Sequence, residues 1–248
     1  MPQPISESRL IPIYRPQKLS NKSSPSFPQF SSSNLIIKPS NRWAKYWTGL
    51  SIDSIQLDRA FQLLVTAYTR SDRHYHNLTH IHHLLGATER FLDTIENPTA
   101  VLLAAWFHDF VYDSQASDNE LQSANIAGKL LTELGLDEQL VDRVQQLIIA
   151  TIGHQTDIND LDRCIFLDAD LAILGTDSVM YQAYAHSIRL EYSWVSEPDY
   201  IQGRVRVLES FLQRDRLYYT DMLFGELESI ARENMQDEIL ALNDLLAV

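Results

Sequence analysis

From Trp43 onward, apolar positions recur at three- and four-residue spacing, interrupted by capping residues and glycines, and no stretch alternates as a strand would. The pattern predicts an all-α fold. IDSIQLDRAFQLLVTAY gives a first amphipathic helix, and a second begins inside the histidine-rich RHYHNLTHIHHL, where Asn77 or Thr79 can cap it. NPTAVLLAAWFHDFVYD is apolar on every face, with Asn97 placed to cap and Pro98 at the first helical position, so this helix should be buried. DNELQSANIAGKLLTELG and DEQLVDRVQQLIIATIG stop at Gly135 and Gly153. RCIFLDADLAILG closes at Gly175, DSVMYQAYAHSIRLEYSWV follows, and SEPDYIQGRVRVLESFLQR opens with Ser196 as cap and Pro198 in the first turn. TDMLFGELESIARENMQDEILALNDLLAV completes the series, and no solenoid period repeats.

Residues 1–42 carry neither period and are dense in Pro and Ser (SNKSSPSFPQFSSSN), which predicts a disordered leader ahead of a single helical domain at 43–248. The leader has six basic residues (Arg9, Arg15, Lys18, Lys22, Lys38, Arg42) against Glu7, hence +5, and the remainder carries −18 of the chain's −13. A Ser-rich, acid-poor leader allows organelle targeting, although a tail without function is the plainer expectation.

Charge and cysteine content narrow the chemistry. With 33 acidic and 20 basic residues, binding to nucleic acid through a broad basic surface is not expected. Cys164 is the only cysteine, so neither an internal disulfide nor a thiolate zinc site can form, and any metal must be held by histidine and carboxylate. No apolar run reaches spanning length and no signal peptide is evident, so a soluble protein of the cytoplasm is expected. The charged C-terminal helices fit either a solvated face or a homodimer seam.

Two helices force polar groups among apolar ones. His108 and Asp109 follow a run of Val, Leu, Ala, Trp and Phe, and an ionised carboxylate out of water needs a strong partner, which a metal ion would supply. The alternative is that the helix ends at Phe107 and the pair caps it in water. In FLDADLAIL, Asp168 and Asp170 lie two apart, so about 200° separates them around a helix and only one can face a shared site. The other should be solvated or capping.

The order of these residues, with RHYHNLTHI, AAWFHDFVYDSQASDNELQSA, TIGHQTD, FLDADLAILG, IRLEYSWV, GRVRVLESFLQR and ELESIARENMQDEILAL, resembles the HD superfamily of metal-dependent phosphohydrolases. The likeness spans roughly Trp43 to Leu245, and the motifs together look like a family of predicted HD-superfamily phosphohydrolases. It implies an all-helical HD-type bundle with additional C-terminal helices. It also implies that His80, His108, Asp109 and Asp170 hold one divalent ion (Mn, Fe, Co, Ni, Zn or Mg), with room left for a second. The activity implied is hydrolysis, by a metal-activated water, of a nucleotide or another small phosphate ester.

Further roles follow from position and residue type. His76 is expected beside the metal, with His74, His82 and His83 as bystanders, because His82 lies about 200° around the helix from His80. His154 is a candidate general acid, phosphate contact or partial ligand to a second metal, and equally a histidine at a helix C-terminus. Asp113 and Glu120 could act as base or hydrogen-bond acceptor, although Glu120 also fits a capping position near Asp118. Arg73, Arg189 and Arg204 are candidates for bidentate phosphate contacts, with surface ion pairs the alternative for each. Tyr112 and Tyr192 could contact a ligand or belong to the core. Two other functions stay open: a di-iron oxygenase on the same scaffold, for which the chain has few histidines, and a metal or nucleotide sensor without turnover.

Overall fold

The structure is a computed structural model that describes residues 43, 47 and 52–246, so the expected leader at 1–42 lies outside the described residues. Among the described residues there are nine α-helices and no strands. They are α1 (Ser54–Tyr68), α2 (Leu78–Thr88), α3 (Pro98–Phe107), α4 (Asn119–Glu133) and α5 (Glu138–Ala150), then α6 (Leu161–Leu171), α7 (Ser178–Glu191), α8 (Glu197–Leu212) and α9 (Asp221–Leu246). Short 3₁₀ segments extend α2 (Glu89–Phe91) and α6 (Ala172–Gly175).

Local chemistry sets most helix starts. Asp53, Asn77, Asn97, Asp137, Asp160, Asp177 and Ser196 each accept a backbone N–H from the first turn that follows, satisfying donors that would otherwise be unpaired. Asn77, not Thr79, caps α2.

The apolar run of α3 is buried from Ala100 through Phe107. This helix packs against α2, α4, α5 and α6, and α4 lies along α5. Trp106 sits in an aromatic cluster with Trp43 and Phe61, at ring separations of 5.5 and 5.9 Å. Buried residues from Trp43 to Leu242 belong to one hydrophobic cluster. At the far end of α6, Gly175 comes so close to α9 that a Cβ there would lie 2.5 Å from Leu227 Cβ. Among the described residues no helix is long and apolar enough to cross a membrane.

A candidate metal centre at the meeting of four segments

Helix α3 ends at Phe107, as the capping alternative supposed, yet His108 and Asp109 are not in water. His108 is 2% exposed and the Asp109 side chain 15%. Arg73, itself buried, holds the chain just past the end of the helix. Its Nη1 donates to the carbonyls of His76 (3.1 Å) and Asp109 (2.6 Å), and its Nη2 donates to that of Phe110 (2.8 Å). A guanidinium at a helix C-terminus meets both the unpaired carbonyls and the negative end of the dipole.

The two aspartates of α6 part as helical geometry requires. Asp170 turns toward the histidines, with Oδ1 3.2 Å from His80 Nε2 and 3.4 Å from His108 Nε2. Asp168 points elsewhere, but it is not solvated. It is fully buried and accepts from the backbone N–H of Tyr219, the N–H of Thr220 and the Thr220 hydroxyl, each at 2.7 Å. It therefore anchors the entry to α9. Burial pushes its carboxyl up to about 6, against the pull of those donors.

His80 and His108 bring their Nε2 atoms within 3.1 Å of each other. With one oxygen of Asp170 they form three donor atoms within 4.8 Å of one another, a group that could hold a metal ion. The 3.1–3.4 Å edges match those of ligands set about 2.0–2.2 Å from a common ion. Asp109 Oδ2 lies against the same two histidines, 2.9 Å from His108 Nε2 and 3.5 Å from that of His80. No family model, curated protein or solved structure matches the chain. The chemistry of this site therefore rests on its own geometry.

The electrostatics agree with a cation-binding pocket. Burial alone would raise the carboxyls of Asp109 and Asp170, but the facing His108 overrides it and holds both well below the usual carboxylate range. Burial would likewise lower His108, yet Asp109 and Asp170 outweigh it and hold the imidazole well above its ordinary value. Positive charge is wanted at this point.

A cavity of about 200 Å³ opens onto the cluster and is lined by His76, His154 and Glu120 as well as His80, His108, Asp109 and Asp170. His76 stacks on Tyr112 at 4.0 Å between ring centroids, and its Nδ1 meets Glu191 Oε2 at 2.7 Å. His154 Nε2 lies 2.8 Å from Asp170 Oδ2, so it orients the aspartate rather than only closing a helix. Its backbone has φ of 48°, following Gly153 at 78°. Arg214 holds this left-handed pair by donating to both carbonyls, at 2.8 and 3.0 Å. Glu120, in the first turn of α4, faces the cavity half-buried.

The other expected contacts fall elsewhere. Asp113 is exposed, does not line the cavity, and accepts from the N–H of Gln115 in a turn. Arg73 and Arg189 also lie off the cavity. Arg189 donates to the carbonyls of Tyr192 and Val195 and covers the Tyr200 ring at 4.1 Å. Arg204 does reach the cavity wall, but it is buried in a two-point pair with Glu238 (3.0 and 2.9 Å). An acidic chain uses its arginines to satisfy its own carbonyls and carboxylates.

Among the bystander histidines, His74 and His83 are exposed and His82 is half-buried. None of the three lines the cavity, although His82 and His83 border an adjoining recess that shares Tyr75, His80 and Asp170. Tyr112 and Tyr192 line the cavity, with Tyr75 and Tyr184. Sequence reasoning missed Glu191. Its signal was an acid at the end of a helix in IRLEYSWV, beside apolar residues, with no local reason to be buried.

Proposed function

We propose that this protein is a metal-dependent phosphohydrolase acting on a small phosphate ester. The observation that carries the reading is the buried trio of His80, His108 and Asp170, with Asp109 alongside, set at the wall of a cavity that also presents His76. Two imidazoles and one or two carboxylates suit a divalent ion with positions left open, as a catalytic site needs. A bound ion supplies Lewis acidity toward a phosphoryl oxygen and lowers the pKa of water.

The chain's own residues divide the remaining work. Glu191 accepts from Nδ1 of His76, a ring at the cavity wall, which leaves Nε2 to take or give a proton. His154 fixes the carboxylate of Asp170, as hydrogen-bonded partners of metal ligands commonly do. The HD-superfamily resemblance of the sequence supports the same assignment.

The test is a panel of phosphate esters offered to purified protein with manganese, cobalt, nickel, iron, zinc or magnesium, after elemental analysis of the protein as purified. Hydrolysis is expected with at least one ion. It should be lost in His108→Ala and in Asp109→Ala while the far-ultraviolet circular dichroism stays helical. Retained activity in both variants overturns the reading.

A further inference from the structure

The cavity's charge does not suit a polyphosphate. The one guanidinium among its described lining residues is Arg204, already neutralised by Glu238, and no lysine lines it. On the hydrolase reading, a divalent ion balances Asp109 and Asp170, and Glu120 remains as an uncompensated carboxylate. No other described residue hydrogen-bonds to or ion-pairs with that carboxylate, although it is half-buried. Burial raises its pKa, the direction expected where a negative charge lacks a partner.

The cavity that Glu120 faces also has an aromatic wall, with Tyr75, Tyr112, Tyr184, Tyr192 and Phe211, and Tyr192 lies within the field of the Glu120 carboxylate. An unpaired carboxylate in a cavity walled by aromatic side chains favours an organic cation over a bare, strongly hydrated one. A second metal at Glu120 is less well served. His154 already engages Asp170, and among the described residues His80, His108 and Asp170 make the one group of three donors close enough to share an ion. The volume of about 200 Å³ lies below the roughly 300–1,000 Å³ of pockets that take drug-sized ligands, so the part of the ligand that it encloses is small.

We infer that the substrate is a small phosphate monoester bearing an amine, its phosphate at the metal end and its ammonium paired with Glu120 within the tyrosine wall. The phosphate end rests on the hydrolase reading; the ammonium end rests on Glu120 and the rings.

Manganese-loaded wild type and Glu120→Gln are titrated with aminoethyl phosphate, hydroxyethyl phosphate and adenosine monophosphate by calorimetry, and the same compounds are offered for hydrolysis. Wild type should bind aminoethyl phosphate at least about tenfold more tightly than its hydroxyl counterpart, and the ratio should fall to about twofold or less in Glu120→Gln. Glu120→Asp, which keeps the charge, should retain part of the preference. Equal affinities for the two probes in wild type overturn the inference, even if no variant folds. So does a preference that survives unchanged in Glu120→Gln, or tighter binding of adenosine monophosphate. Amine preference without hydrolysis of any ester would sink the hydrolase reading and leave the recognition of the amine standing. Hydrolysis without amine preference would do the reverse.

Discussion

Glu191 Oε2 lies 2.7 Å from His76 Nδ1, and Oε1 of the same carboxylate accepts the backbone N–H groups of Tyr75 and His76 at 2.7 and 2.9 Å. The Tyr112 hydroxyl donates to Oε2 as well, at 3.0 Å. The last residue of α7 thus fixes both the loop that carries His76 and the ring that stacks on it. Its side chain has no solvent exposure, so water does not compete with those donors for the carboxylate.

Removing this acceptor should therefore be costly. Glu191→Ala leaves several buried donors unpaired and is expected to lower stability by about 2–5 kcal/mol in urea unfolding. Glu191→Gln keeps the volume and one acceptor oxygen, so it should fold and lose less. It should still lower turnover, because the amide no longer holds Nδ1–H of His76 with a charge. Full activity in the folded Gln variant would show that His76 needs no such orientation.

The same pair sets a pH dependence of stability. Burial would lower His76, but Glu191 and Asp109 reverse it and the net shift is upward. Burial would raise Glu191, but His76 reverses it and the net shift is downward. The raised histidine contributes stability that is full below its ordinary value of 6.5 and fades as pH rises through the folded value. The lowered glutamate contributes stability that is full above its ordinary 4.5 and fades as pH falls through the folded value. Wild type minus Glu191→Gln should thus be largest between those two values and shrink on both sides, as read from urea midpoints across pH. A difference independent of pH would refute the coupling.

Metal content should separate the histidines of RHYHNLTHIHHL. His80→Ala removes one of three mutually close donors and is expected to weaken metal binding by well over about tenfold. His82→Ala and His83→Ala, off the cavity, should retain the wild-type ion-to-protein ratio after dialysis. Equal losses from all three would move the site toward the adjoining recess.

Asp168 and Asp170 should fail in different ways. Asp168→Ala leaves the N–H groups of Tyr219 and Thr220 without their acceptor at the entry to α9, an expected loss of about 2–4 kcal/mol with metal binding kept in the folded fraction. Asp170→Ala should lose the ion. In the metal-free protein it should also cost stability, since His80, His108 and His154 lose the carboxylate that faces them, so loss of the ion is what sets it apart from Asp168→Ala. Calorimetric melting with and without chelator distinguishes the two.

Most helices were legible because they carry their own period and many their own start signal, so Asn97 and Ser196 could be read without knowing what lies beside them. The separation of Asp168 from Asp170, and of His82 from His80, followed from helical rotation alone. What could not be read was long-range use of charge. Nothing near Arg73 announces that its guanidinium will close a helix ending 34 residues later, at Phe107, and Glu191 meets His76 across 115 positions. The destination of Asp168 was hidden for the same reason: its donors lie in a loop 51 and 52 residues on. An arginine's or a glutamate's partner is set by tertiary packing, which a single sequence does not display.

Packing also fixes the glycine that ends the 3₁₀ turn after α6. A Cβ at Gly175 would lie 2.5 Å from Leu227 Cβ and 2.9 Å from the Leu227 carbonyl oxygen, so the obstacle includes backbone on α9 that cannot swing away. Gly128, by contrast, faces the amide end of Gln145, with the nearest atom also at 2.5 Å. That side chain can rotate, at the cost of the hydrogen bond its amide nitrogen donates to the Ala124 carbonyl. Equal distances therefore predict unequal penalties. Gly175→Ala should destabilise by about 1–3 kcal/mol, because α9 must shift as a whole or the turn must distort. Gly128→Ala should cost less, since alanine's better helix propensity inside α4, worth up to about 1 kcal/mol, offsets part of the lost bond. Because even Asp168→Ala, which removes the anchor of α9, should keep the ion, neither glycine change is expected to alter metal binding in the folded fraction. Parallel urea melts and metal titrations of the two variants check both statements, and equal destabilisation by the two would show that the α9 backbone yields as readily as a free side chain.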